Sequence, residues 1–149
     1  MREILFRGKR LDNGQWIASG NIIRFNPECG EDPVFIPGLN EKCTCTHDEF
    51  DNIIAFDKVA FYKVNPETVG QFTGLTDKNG KLIFEGDIVK HYCEHKADGI
   101  ISIGVVFWDE KRCMFLRTST GGNATPQIWS CCEYEVIGNI HDNPELMDK

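Results

Sequence analysis

The chain contains no long apolar run: its longest stretches of consecutive hydrophobic residues are four long, as at Val105–Trp108, where a membrane-spanning helix needs about 20. A membrane role is therefore not expected. No apolar stretch follows Met1-Arg2-Glu3, and the seven cysteines are odd in number and unevenly spaced. A secretory leader and a disulfide framework are both disfavoured, and a cytoplasmic protein with reduced thiols is expected. Leu and Ala are scarce, 12 together against 23 Ile and Val. That bias suits pleated surfaces and argues against a helical protein, because β-branched side chains lose rotamer freedom in helices. Basic residues are outnumbered, 16 Lys and Arg against 23 Asp and Glu, for a net charge of −7. A broad, nonspecific grip on phosphate backbones is excluded on that count, although a local basic patch is not. Repeats and low-complexity tracts are absent too, so no solenoid or charged tail is in view.

What is present is enough for a core. Leu, Ile, Val and Phe number 40 of 149 residues, above the roughly one-fifth level below which chains stay disordered. The length fits one compact domain over residues 1–149. At Ile101, Ile103, Val105 and Phe107 apolar residues recur at every second position, the period of a half-buried strand. Ile4–Gly8 and Gln15–Ile23 read as strands joined through Asp12-Asn13-Gly14, an N-terminal hairpin whose Asn and Gly tolerate positive φ. From Asn26 to Thr46, Pro27, Pro33 and Pro37 with Gly30 and Gly38 break the pattern into an irregular excursion, interrupted by a short extended piece at Val34–Ile36. Strands are predicted at Ile53–Phe56, Val59–Val64, Gln71–Leu75, Leu82–Phe84, Ile88–Cys93, Ile100–Trp108, Cys113–Thr118, Gln127–Cys132 and Glu135–Ile140. Asn65-Pro66 marks a corner, and Asp77-Lys78-Asn79-Gly80-Lys81 is the clearest hairpin turn. Asn143-Pro144 caps and starts a terminal helical turn. Many short strands with frequent turns mean a small barrel or sandwich.

Three segments resemble the YopX family of phage and prophage proteins. The first is Arg2-Glu3-Ile4-Leu5-Phe6-Arg7-Gly8-Lys9 with Asn13-Gly14-Gln15-Trp16. The second runs from Pro66-Glu67-Thr68-Val69-Gly70-Gln71-Phe72-Thr73-Gly74-Leu75 through Asp77–Lys81 to Glu85-Gly86-Asp87-Ile88-Val89. The third is Glu135-Val136-Ile137-Gly138-Asn139-Ile140-His141-Asp142-Asn143-Pro144-Glu145-Leu146. The resemblance implies a mainly β fold, a small partly open barrel related to SH3-like ones, carried by phages and mobile elements of bacteria. It implies no activity. The Cys-bearing stretch within 26–46 lies outside the pattern. Glycines 70, 74, 80, 86 and 138 sit where missing Cβ atoms allow bends and close backbone approach, and Asp87 can accept backbone N–H groups at the start of a strand.

Several constellations could carry chemistry. Cys43, Cys45 and His47, with Cys29 nearby, are soft or borderline metal ligands, but zinc knuckles usually place two residues between paired cysteines. His91, Cys93 and His95 alternate along a strand and would share one face. Reduced cysteines more often act as small hydrophobes, so neither set is assigned to a metal. Cys131 and Cys132, adjacent in a strand, point to opposite faces and do not bond each other. Glu85 and Asp87 flank a glycine, and His141-Asp142 ends the last strand. Turn and cap roles account for these residues, so none is assigned to catalysis, although His141 stands first among them. Gly74 to Gly80-Lys81 fails as a phosphate loop: five residues separate the glycines where four are needed, and Leu82 stands in the Ser/Thr position. Asn123-Ala124-Thr125 is a chance sequon.

Arg2, Arg7, Lys9, Arg10 and Arg24 cluster with Phe6 and Trp16 in the first strands, a mixture able to meet a phosphate backbone and stack a base. A solvated strand face with a core aromatic explains it better, given the acidity of the rest. The sequence thus leads to a non-enzymatic cytoplasmic phage accessory protein without cofactors. It is expected to be a homo-oligomeric interaction module that presents loops to a host protein. The alternatives are a nucleic-acid-binding barrel and, third, a metal-dependent hydrolase.

Overall fold

The computed structural model describes residues 3–24, 33–39, 45–47, 53–56, 59–92, 100–118 and 133–147. The chain is mainly β, and it gathers into two compact units, Leu5–Val69 and Met1–Ile4 with Gly70–Lys149.

In the first unit β1 (Phe6–Lys9) and β2 (Trp16–Ser19) form the expected hairpin, Lys9 opposite Trp16. Its turn closes as an Asx motif: the Asn13 side-chain oxygen accepts the Gln15 amide at 2.9 Å and the Gly14 amide donates to the Arg10 carbonyl at 3.0 Å. β3 (Ile23–Arg24) pairs with β4 (Val34–Leu39), while β5 (Cys45–His47) and β6 (Ile53–Phe56) form a ribbon of their own. β7 (Val59–Val64) completes a sheet of order β3-β4-β7. Val34, Ile36 and Val64 are its buried centre, with Ile17, Ile22 and Val69 packed against them. The Asn65-Pro66 corner is a 3-10 turn, Pro66–Thr68, capped by the Asn65 side chain, which accepts the Glu67 amide. The Thr68 hydroxyl donates to the Asn65 carbonyl and accepts the Lys9 amide at 2.8 Å, tying that corner to β1.

One expectation needs correcting here. Pro37 does not break the ladder: β4 runs on to Leu39, with Pro37 opposite Phe61. Among the described residues β3 covers only Val34 and Phe35, so position 37 is paired on one side alone, where proline is tolerated.

In the second unit β8 (Gly70–Thr76) and β9 (Leu82–Phe84) flank the predicted Asp77–Lys81 turn. β10 (Asp87–Tyr92), β11 (Ile100–Asp109), β12 (Met114–Arg117) and β13 (Glu133–Asn139) make an antiparallel sheet of order β12-β11-β10-β13. Register shifts on both flanks of β10, at Ile88/Val89 and His91/Tyr92, curl it, as bulges do. A 3-10 turn at Pro144–Met147 follows, as the Asn143-Pro144 pair predicted. Ile83, Val89, Val106 and Tyr134 form the core, lined by Leu75, Phe115 and Val136. The mainly β class with a curled sheet is therefore as expected. An SH3-like strand order is not identified among these sheets. The strand predicted at Gln127–Cys132 and most of the 26–46 excursion lie outside the described residues.

The alternation along β11 has the expected period and the opposite deep face. Ser102, Gly104 and Val106 are buried, while Ile103, Val105 and Phe107 are only half-buried. Two local reasons account for this: the backbone at Thr118 occupies the space above Gly104, and Ser102 is bonded to a buried arginine.

Candidate functional site

β12 ends on Arg117, directly opposite Val106 of β11. His91 of β10 stands opposite Ser102 on one side and Tyr134 of β13 on the other. Strand alternation puts all five side chains on one face, with Arg117 only 1% exposed. Its Nη1 donates to Ser102 Oγ at 2.6 Å and to the Thr118 carbonyl at 3.5 Å. Its Nη2 lies 3.0 Å from His91 Nδ1. A guanidinium has no acceptor, so Nδ1 must be the bare nitrogen and the imidazole proton sits on Nε2. The ring lies nearly flat on Tyr134, centroids 5.2 Å apart. Burial first, and then the Arg117 charge, hold the His91 pKa below its ordinary 6.5.

The native state thus binds fewer protons than the unfolded chain below about pH 6.5. The His91 contribution to stability is complete above that value and is lost as pH falls through it. Unfolding midpoints in urea should decline from pH 7 to pH 5, and the decline should be smaller in His91→Phe. A parallel decline in both proteins would contradict this assignment.

The residues singled out in the sequence are distributed differently. Asp87 is buried and accepts the Phe84 amide at 2.8 Å, and Glu85 Oε1 accepts the Trp108 amide at 3.2 Å. The turn that carries them lies against the end of β13: the Ile140 amide donates to the Gly86 carbonyl at 3.0 Å, and His141 Nε2 is 3.9 Å from where a Cβ on Gly86 would stand. The two carboxylate-bearing turns are therefore neighbours, and Asp142 bonds the Asn139 amide group. Among the described residues no group of three or more His, Cys, Asp or Glu gathers as for a metal. Cys29, Cys43, Cys93, His95, Cys131, Cys132 and Asn123 lie outside them, Cys45 and His47 fall in β5, and His91 faces a cation. The Gly74–Lys81 stretch is a hairpin turn, with Asp77 Oδ1 accepting the Asn79 and Lys81 amides at 2.8 and 2.9 Å.

Of the N-terminal basic residues, Arg7 and Arg10 are engaged within their own unit. Arg7 lies over the Trp16 ring at 4.7 Å and Arg10 over Tyr62 at 3.9 Å. The Arg10 guanidinium also pairs with Asp12, Nε to Oδ1 at 2.9 Å. Lys9 is half-buried, Arg24 is exposed on β3, and Arg2 lies outside the described residues.

Sequence reasoning missed Ser102, Arg117 and Tyr134. An arginine ending Met-Phe-Leu-Arg reads as a strand running out into solvent, and its burial depends on partners 15 and 26 positions away. The one available signal was Ser102 alternating with Gly104 amid apolar residues.

A family profile described as YopX protein matches residues 6–148. The chain belongs to the YopX family. The match takes in both compact units and every residue of the Arg117 cluster. No curated protein matches the chain in sequence. Among solved structures, the crystal structure of protein EF1440 from Enterococcus faecalis is similar, with a TM-score of 0.51 and 21% identity over 97% of each chain. That likeness shows the fold alone. No helix among the described residues is long and apolar enough to cross a membrane.

Proposed function

We propose that this YopX-family chain is a non-enzymatic accessory protein of phage type, acting in the bacterial cytoplasm as a self-associating interaction module. The observation that carries the reading is the β11–β12 hairpin. Among the described residues β12 is the outermost strand of its sheet. At its start Met114, opposite Asp109, is 38% exposed, and on the other face Trp108, opposite Phe115 and packed edge-on to it, is 40% exposed. An edge strand flanked by exposed large apolar side chains is a template for pairing with a second sheet. The acidic pair weighed for catalysis supports the same reading, since Glu85 and Asp87 accept main-chain amides at a turn and a strand end.

Light scattering behind size exclusion tests it. The parent protein should show a mass rising with concentration above the 16.9 kDa of one chain, and Met114→Lys, which charges the edge, should stay at the single-chain mass. A parent mass of one chain at every concentration, or an unchanged assembly in Met114→Lys, would refute the reading.

A further inference from the structure

Arg117 holds a positive charge out of water, and its Nη2 is bonded to a nitrogen that must stay bare, His91 Nδ1 at 3.0 Å. The bond therefore exists only while His91 is neutral. A proton taken up from solvent makes an imidazolium, which has no acceptor on either nitrogen, so turning the ring does not restore the contact. It also sets two like charges side by side on the face that carries Val89 and Val106. Among the described residues nothing facing the ring offsets the second charge. On β11 the facing group is the Ser102 hydroxyl, on β12 the Arg117 guanidinium and on β13 the Tyr134 phenol. Glu133 and Glu135 flank Tyr134, and Lys90 and Tyr92 flank His91, so all four project from the opposite face. There Glu135 is bound to Lys78 at 2.9 Å and to the Tyr92 hydroxyl. The Asp77 carboxylate is taken up by the amides of Asn79, Lys81 and Val136. Burial and the Arg117 charge, both opposing protonation, are accordingly what act on the ring.

The repulsion is relieved at β12. His91 lies in β10, which is paired on both sides, by β11 and β13, and its ring is stacked on Tyr134. Arg117 ends a four-residue strand that is outermost among the described residues, and its long stem can carry the guanidinium outward. Beside it the Thr118 amide donates to the Val105 carbonyl and the Thr118 hydroxyl accepts the Val105 amide, each at 2.9 Å. We propose that His91 and Arg117 form an acid-operated latch, in which protonation of His91 expels Arg117 and frees the Leu116–Thr118 end of β12 from β11. Because β12 is the proposed pairing edge, the latch confines self-association to neutral pH. That consequence rests on the pairing reading, whereas the latch itself does not.

Amide exchange in dilute protein, corrected for the intrinsic effect of pH, tests the latch. Antiparallel alternation from the Thr118–Val105 bond makes Leu116 the neighbouring amide bonded to β11. From about pH 7.5 to about pH 5.5 the protection of both should fall several-fold, towards the roughly tenfold limit set by one pH unit below the ordinary histidine value. The β10–β13 ladder should keep its protection. His91→Asn, whose side-chain oxygen takes the place of Nδ1 and does not titrate, should keep both amides protected in acid. Should His91→Asn fail to fold, the ring-nitrogen resonances of His91 in the parent protein decide, since ring and amides should change with one midpoint. Protection that does not fall in the parent, that falls equally in His91→Asn, or that falls with a midpoint unlike the ring's would each overturn the latch. Light scattering reads the consequence separately: the mass of the associated parent should drop on acidification, and that of His91→Asn should not. A mass that rises with concentration and ignores acid overturns the regulation alone. A single-chain mass at every concentration overturns the pairing reading and the regulation with it, and exchange still decides the latch.

Discussion

Gly104→Ala is expected to cost at least about 4 kcal/mol of stability and to leave most of the protein unfolded or insoluble. A Cβ at this position would stand 1.7 Å from the Thr118 carbonyl oxygen and 2.7 Å from its carbon. Both are backbone atoms, so no side chain can swing aside. Nor can Thr118 retreat cheaply, because its amide donates to the Val105 carbonyl and its hydroxyl accepts the Val105 amide, each at 2.9 Å. The alternatives are to break both bonds or to shift β12 away from β11, and either also moves Arg117 from Ser102. Gly80→Ala is the control. It sits at φ +81° with nothing within 4 Å of its new methyl group, so it should cost only the backbone strain, about 1–2 kcal/mol. Denaturant titration of the two variants checks the contrast. Equal losses would mean that the close approach of Thr118 is not what requires glycine at 104.

Asp77→Ala should destabilise the fold by roughly 3 kcal/mol, since three hydrogen bonds to a buried charged acceptor disappear together. Its Oδ1 accepts from Asn79 and Lys81 and its Oδ2 from Val136, at 2.8, 2.9 and 3.1 Å. The first two bonds close the β8–β9 turn, and the third fastens that turn to β13, 59 residues further along the chain. Burial by itself would raise the carboxyl pKa, but the amides of Val136, Lys81 and Asn79 outweigh it and hold the group below 3.8. With its native value depressed, this group contributes fully above the unfolded pKa, and the contribution is lost as pH falls through the native one. Acid unfolding of the parent should therefore steepen below about pH 4, and Asp77→Ala should lack that component. Asp77→Asn, keeping one acceptor oxygen, should fall between the two in stability. An Asp77→Ala protein as stable as the parent would show that the turn holds without the carboxylate.

These two positions show how far the sequence could be read. The Asp77–Lys81 turn was legible because Asp, Asn and Gly between two apolar runs act locally, each through bonds to amides two to four residues away. The same was true of Asn65-Pro66, Asn13-Gly14 and Asn143-Pro144, and for this reason most strand ends fall within two or three residues of expectation. The third bond of Asp77 was not legible, since nothing near residue 77 announces Val136. Nothing beside Gly104 in the sequence announces that the backbone at Thr118 presses on it. The Arg117 cluster was the least legible of all. His91 drew notice only as one of three alternating metal ligands, and the residue that engages it is an arginine, which bonds its Nδ1. Pro37 erred the other way: a reliable breaker stands within β4, opposite Phe61.

In the proposed assembly β12 offers its outer edge to a second copy of the chain. Amide hydrogen exchange of Met114–Arg117, followed from dilute to concentrated protein, tests this most directly. Those β12 amides that do not bond to β11 should exchange quickly in dilute solution and become protected as concentration rises, with Met114→Lys remaining fast throughout. Exchange at these amides that is independent of concentration in the parent protein would contradict the account.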